Sequence, residues 1–150
     1  MTTPSTLRLR GESLARVIAA IVIVETLALL ALAIAGWVNS DTMSPHATET
    51  AMVIGFELNT AHSLILGATG LAGLIAVWRA RYLRWFLVLQ TLGYLAFWVV
   101  GVTSSGARGT KPTFLALNLA DHLLHLGLFA LGLILGLLMV TASAETRAEG

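Results

Sequence analysis

The stretch Leu117-Asn118-Leu119-Ala120-Asp121-His122-Leu123-Leu124-His125-Leu126-Gly127 sets a carboxylate and two imidazoles inside an apolar run that continues to Val140. A run of that length is long enough for a membrane-spanning helix, which needs about 20 residues. Ionisable groups within a span are costly in hydrocarbon and turn toward the bundle interior, where a partner meets them. Asn118, Asp121 and His125 stand at i, i+3 and i+7 and share one helical face. His122 points about 100° away from it.

Composition agrees. Of the 150 residues, 57% are hydrophobic and 11% charged, and the mean hydropathy is +0.84, whereas soluble domains carry about 25% charged residues. One membrane domain over residues 1–150 is expected, with no room for a soluble second domain. There is no cysteine, which removes disulfides and thiolate chemistry. No stretch reads as a nucleic-acid patch or a glycine-rich phosphate loop.

Outward from this segment, the apolar pattern predicts four spans, over 14–37, 51–78, 85–102 and 113–140. Residues 1–12 and 141–150 read as polar tails, and the stretches around Pro45 and Pro112 as loops. Arginines ahead of Ala31-Leu32-Ala33 imitate a secretory signal, but the apolar core from Val17 to Ala35 exceeds the usual h-region of about 7–15 residues. Glu25 in its middle is also foreign to a signal peptide, so a retained first span is expected. Arg8, Arg10, Arg16, Arg79, Arg81, Arg84 and Arg147 fall on one side, Arg108 and Lys111 on the other. Positive-inside bias then places both termini in the cytoplasm, with Tyr82 and Trp85 as interfacial anchors.

The two halves resemble each other. Glu25-Thr26-Leu27 matches Gln90-Thr91-Leu92, and Leu58-Asn59-Thr60-Ala61-His62 matches Leu117-Asn118-Leu119-Ala120-Asp121. Two similar helical hairpins would be related by a pseudo-two-fold axis along the membrane normal. The expected fold is therefore an all-α transmembrane four-helix bundle. Glu25 should face Gln90, and His62 should face Asp121. Glu25 lies about 16 Å from the start of its span, and both histidines should lie within about two turns of its level.

The pattern Asn59-x-x-His62-x-x-x-x-Gly67, followed by Asn118-x-x-Asp121-x-x-Leu124-His125, resembles a family of small four-span bacterial membrane proteins. That family is common in actinobacteria and catalogued as a domain of unknown function. The resemblance covers residues 14–140. The family pattern has Pro-Leu where this chain has Thr60-Ala61, and Asn where it has His122. The resemblance implies a four-span fold in the bacterial cytoplasmic membrane, and no activity, substrate or cofactor.

Glu25, Asn59, His62, Gln90, Asn118, Asp121 and His125 form the expected intramembrane polar core. Asn59 and Asn118 would hydrogen-bond neighbouring helices. Glu57 would sit in the first turn of the second span, where a carboxylate is favourable. His46 and His122 would be solvated or interfacial. Three functions stay open. The core serves folding in an accessory or partner-binding membrane protein, the favoured alternative. Otherwise His62, Asp121 and His125, with Glu25, hold Zn or Fe in a redox protein or metalloenzyme, or the two histidines hold a haem. In the third, Glu25 and Asp121 carry protons or ions. No nucleophile–base pair is evident, which leans away from an enzyme. Gly132-x-x-x-Gly136 and the Ala68, Ala72, Ala76 series are small-residue faces for packing or self-association.

Overall fold

Helix α1 runs from Pro4 to Asn39 in the computed structural model, which describes residues 4–39, 50–105 and 118–147. Pro4 suits a first helical turn, where its missing N–H costs nothing. The Ala- and Leu-rich sequence then propagates without a break. At the far end, Asn39 Nδ2 donates to the Ala35 carbonyl at 2.7 Å. A short hairpin follows, β1 (Ala51–Val53) and β2 (Phe56–Leu58), and then α2 (Thr60–Ala76), α3 (Ala80–Ser105) and α4 (Leu119–Arg147).

Neighbouring helices run antiparallel. Gly67 of α2 lies against Ala33 of α1, and Gly70 lies against Leu30 and Thr26. Likewise Gly132 of α4 faces Thr91 of α3, and Gly136 faces Leu87. α1 touches both α2 and α4, α3 packs mainly on α4, and the α2–α3 seam is slighter than these. Two apolar clusters fill the bundle. Ile18, Val22, Leu83, Leu87, Leu135 and Met139 fill the end holding the α2–α3 turn, and Leu29, Leu58, Leu66, Tyr94 and Leu128 fill the hairpin end.

The outward faces are apolar as well. Val24, Leu71, Leu89, Leu92 and Leu137 are all exposed. Only 33% of the apolar window of α1, and 28% of those of α3 and α4, is buried within the protein. A helix apolar all round belongs in lipid. The protein is a membrane protein.

Several expected boundaries are corrected. Among the described residues three helices are long and apolar enough to cross a membrane, rather than four: Gly11–Asn39, Ala80–Thr103 and Leu119–Ala142. The second segment, expected over 51–78, is helical only over Thr60–Ala76. Its 17 residues measure about 26 Å, short of a hydrocarbon core of about 30 Å. Residues 51–58 are the hairpin instead, with Ala51 opposite Leu58, Met52 opposite Glu57 and Val53 opposite Phe56. Glu57 thus belongs to β2, not to a helical first turn. The tails expected at 4–12 and 141–147 are helical extensions of α1 and α4. The loop residues Pro45, His46, Arg108, Lys111 and Pro112 lie outside the described residues.

The hairpin reverses through Ile54 at φ 51 and Gly55 at φ 90. Two consecutive positive φ angles suit a two-residue hairpin turn. Gly55 adopts its angle freely, but a β-branched residue at positive φ is strained. Ile54 is 90% exposed, so no packing offsets the strain. Ile54→Asn is expected to raise stability by about 1 kcal/mol in detergent unfolding, and an unchanged midpoint would refute the strain.

The small-residue faces divide between the bundle and its outer surface. Ala68 and Ala72 face outward and are exposed, while Ala76 is buried. The close seam between α1 and α2 uses Gly36, Gly70 and Gly73 instead. Gly132 is a true close approach, since a Cβ there would lie 2.8 Å from Thr91 Oγ1. Gly136 is looser; a Cβ would meet only Leu87 Cβ at 3.9 Å.

Candidate functional site

The matching Asn motifs cap the two helices that begin at the hairpin end. Asn59 is the N-cap of α2, extended at φ −103 and ψ 175, and its side chain accepts from the His62 N–H at 2.8 Å. Asn118 does the same for α4, its Oδ1 accepting from the Asp121 N–H at 3.0 Å. Asp121 replies, Oδ2 accepting from the Asn118 N–H at 2.9 Å. This is a reciprocal capping box. Each cap satisfies a donor of its own first turn. A carboxylate in a helical first turn also faces the positive end of the dipole.

Asp121 reaches further. Oδ2 lies 3.3 Å from the Glu57 N–H, and Asn118 Nδ2 donates to the Gly55 carbonyl at 2.8 Å. The start of α4 therefore clamps the hairpin that precedes α2, joining the two halves of the chain. Asp121 is 0% exposed.

Below this clamp lie the histidines. His62 and His125 are both buried, with ring centroids 5.4 Å apart. His62 Nδ1 is 3.4 Å from the Glu57 carbonyl, a hydrogen bond when that nitrogen carries the proton. Tyr94 and Phe97 of α3 flank the His125 ring at 5.6 and 5.7 Å. Among the described residues, His62 Nε2 and His125 Nδ1 have no hydrogen-bond partner.

Glu25 and Gln90 meet deeper in the bundle. Gln90 Nε2 donates to Glu25 Oε1 and also to the Leu128 carbonyl at 3.2 Å. The repeat thus located a contact between the halves. His125 lies within the expected two turns, three residues before Leu128 on α4, whereas His62 lies further off. Thr26, next to Glu25, packs on Gly70 and Gly73, which lie about 12–16 Å along α2 from His62. Tyr94 spans this interval from α3, its hydroxyl donating to Thr69 Oγ1 at 3.2 Å. The polar groups form a seam running down the bundle rather than one layer.

Glu25, Asn59, His62, Gln90, Asp121 and His125 are buried, and Asn118 is half-buried. They are not gathered around one point. Among the described residues, no group of three or more His, Cys, Asp or Glu side chains is placed to hold a metal ion. Glu25 is separated by level and bonded to Gln90, and Asp121 Oδ2 faces two backbone amides. His122 is half-buried beside the seam. A cavity of about 270 Å³ opens between α2 and α3, walled in part by Thr69, Ala72, Gln90, Tyr94 and Phe97. Tyr94 and Thr69 were not singled out from sequence, although Tyr94 follows Gln90 at i+4 on the same face.

These features define a class: a small helical membrane protein with apolar outer faces and a buried polar seam between its two halves. The model of the family described as domain of unknown function (DUF4383) matches residues 16–138, and the chain belongs to that family. Neither a curated protein nor a solved structure matches it.

Proposed function

We propose that the protein is a non-catalytic, accessory or partner-binding component of the bacterial cytoplasmic membrane, formed as a single membrane domain with both termini in the cytoplasm. The polar seam serves folding and pairing of the two halves. The observation that carries this is what the carboxylates do: Asp121 Oδ2 accepts from the Asn118 and Glu57 N–H groups, and Glu25 accepts from Gln90. Polar groups bonded in this way specify how the two halves pack, while Glu25 Oε2 is buried with no hydrogen-bond partner among the described residues. The apolar faces of α1, α3 and α4 are what remains for lipid and for a membrane partner.

A second reading rests on the histidines. Two facing imidazoles, each with a ring nitrogen lacking a partner among the described residues, are a donor pair for Zn or Fe. The two readings part on elemental analysis and an absorption spectrum of the detergent-purified full chain. The folding role expects trace metal and no Soret band, both unchanged in His125→Ala. One Zn, Fe or haem per chain, lost in His125→Ala, would replace it with the metal role.

A further inference from the structure

On the outer side of the α3–α4 pair lies a groove of about 610 Å³, unrelated to the polar seam. Its floor is made by small residues. At Gly132 the helices touch, with Thr91 beside it. Toward the α2–α3 turn they part, so that at Gly136 a Cβ would meet only Leu87 at ordinary distance. The walls are Val88, Leu92, Leu133 and Leu137, all exposed on the outer surface. Thr91 Oγ1 donates to the Leu87 carbonyl at 2.7 Å and so offers the groove no free donor. Along its length the groove is apolar.

Its mouth is cationic. Arg81 and Arg84 line that end, and neither has a hydrogen-bond or ion-pair partner among the described residues. Among the described residues, no acidic side chain lines the groove. Trp78, Tyr82 and Trp85 are exposed at the same end, the aromatic pattern of a membrane interface. From Arg81 to Leu92 the groove descends about 16 Å along α3, close to half of a hydrocarbon core of about 30 Å. That is one leaflet.

We propose that this groove binds an anionic glycerophospholipid, one acyl chain lying over Gly132 and Gly136 and the phosphate held by Arg81 and Arg84. Charge at the mouth, a lining below it whose one hydroxyl is already bonded, and a depth of one leaflet match a lipid better than a second helix. A helix without acidic side chains would leave the two guanidinium groups unanswered. Bidentate guanidinium geometry suits a phosphate, and paired basic residues at a headgroup surface favour anionic lipid.

The test uses the full chain with Trp85 as its sole tryptophan (Trp37→Phe, Trp78→Phe, Trp98→Phe), reconstituted in phosphatidylcholine nanodiscs. Chain-brominated phosphatidylglycerol or chain-brominated phosphatidylcholine is then titrated in, and Trp85 quenching is followed. Phosphatidylglycerol should be preferred roughly tenfold. Arg81→Gln with Arg84→Gln should abolish the preference, and Gly136→Phe should reduce quenching by both lipids by filling the groove. Native mass spectrometry of the otherwise unaltered chain gives a readout independent of the tryptophan replacements: retained phosphatidylglycerol should fall in the arginine variant. Equal quenching by the two lipids, or a preference untouched by the arginine changes, would overturn the proposal. So would a protein-concentration-dependent dimer that shields Trp85 from both, because a second copy would then own the groove.

Discussion

Asp121→Ala should lower the unfolding free energy in detergent by about 3 kcal/mol, the largest loss expected of any polar substitution in the chain. Three effects combine. The cap of α4 loses its reciprocal half, worth about 0.5–2 kcal/mol. The Glu57 N–H loses this acceptor in a part-buried setting, at about 1–3 kcal/mol where a donor is left unsatisfied. The hairpin also loses one of its ties to α4, the bond from the Glu57 N–H, and keeps the one from Asn118 Nδ2 to the Gly55 carbonyl. Asp121→Asn retains an acceptor oxygen and should cost about 1 kcal/mol. Hydrogen exchange separates the clamp from a general loss. At Glu57 and Asn118 the amides of Asp121→Ala should exchange faster than those in the middle of α3. Unchanged stability in Asp121→Ala would show that the carboxylate does not cap α4.

Gly73→Ala and Gly70→Ala should each cost about 2–3 kcal/mol, although alanine is the better helix former. A Cβ at Gly73 would fall on the Thr26 methyl and lie 2.9 Å from Phe86 Cζ. Thr26 cannot readily turn away, since it is 0% exposed and its Oγ1 donates to the Ile23 carbonyl at 3.1 Å. At Gly70 a Cβ would lie 2.6 Å from Leu30 Cγ and 2.9 Å from the Thr26 carbonyl oxygen. Backbone does not move as a rotamer does, so α1 and α2 must separate. Gly93 and Gly127 are the controls, because a Cβ at either meets nothing within 4 Å. Gly93→Ala and Gly127→Ala should be neutral or stabilising by up to about 1 kcal/mol. Thermal unfolding of the four variants checks the contrast, and equal effects in both pairs would deny the seam.

Hydropathy alone located the long helices, because lipid demands an apolar run whatever the packing. The Glu25–Gln90 contact was legible from the repeat, since two similar hairpins place equivalent residues face to face. The hairpin at 51–58 was hidden for the opposite reason. Ala51-Met52-Val53 and Phe56-Glu57-Leu58 sit in a continuous apolar stretch, and hydropathy does not separate a short buried strand from a helical turn. Gly55 between alternating residues was the available signal. Setting the second span at residue 51 then obscured Asn59, which became an intramembrane amide instead of an N-cap. The same misplacement moved His62 from the first turn of α2 toward mid-bundle. On α2 the alanine spacing drew attention away from Gly70 and Gly73, which a one-dimensional pattern ranks no higher. Only the register against Thr26 distinguishes them.

A double-mutant cycle on Glu25 and Gln90 bears most directly on whether the two halves are held together by buried polar pairing. Glu25→Leu, Gln90→Leu and the combined variant would be unfolded in detergent beside the original chain. Each single change should destabilise, and the combined change should cost less than the two together, with a coupling of about 1 kcal/mol. Strictly additive effects, or singles indistinguishable from the original chain, would mean that these side chains do not join the halves.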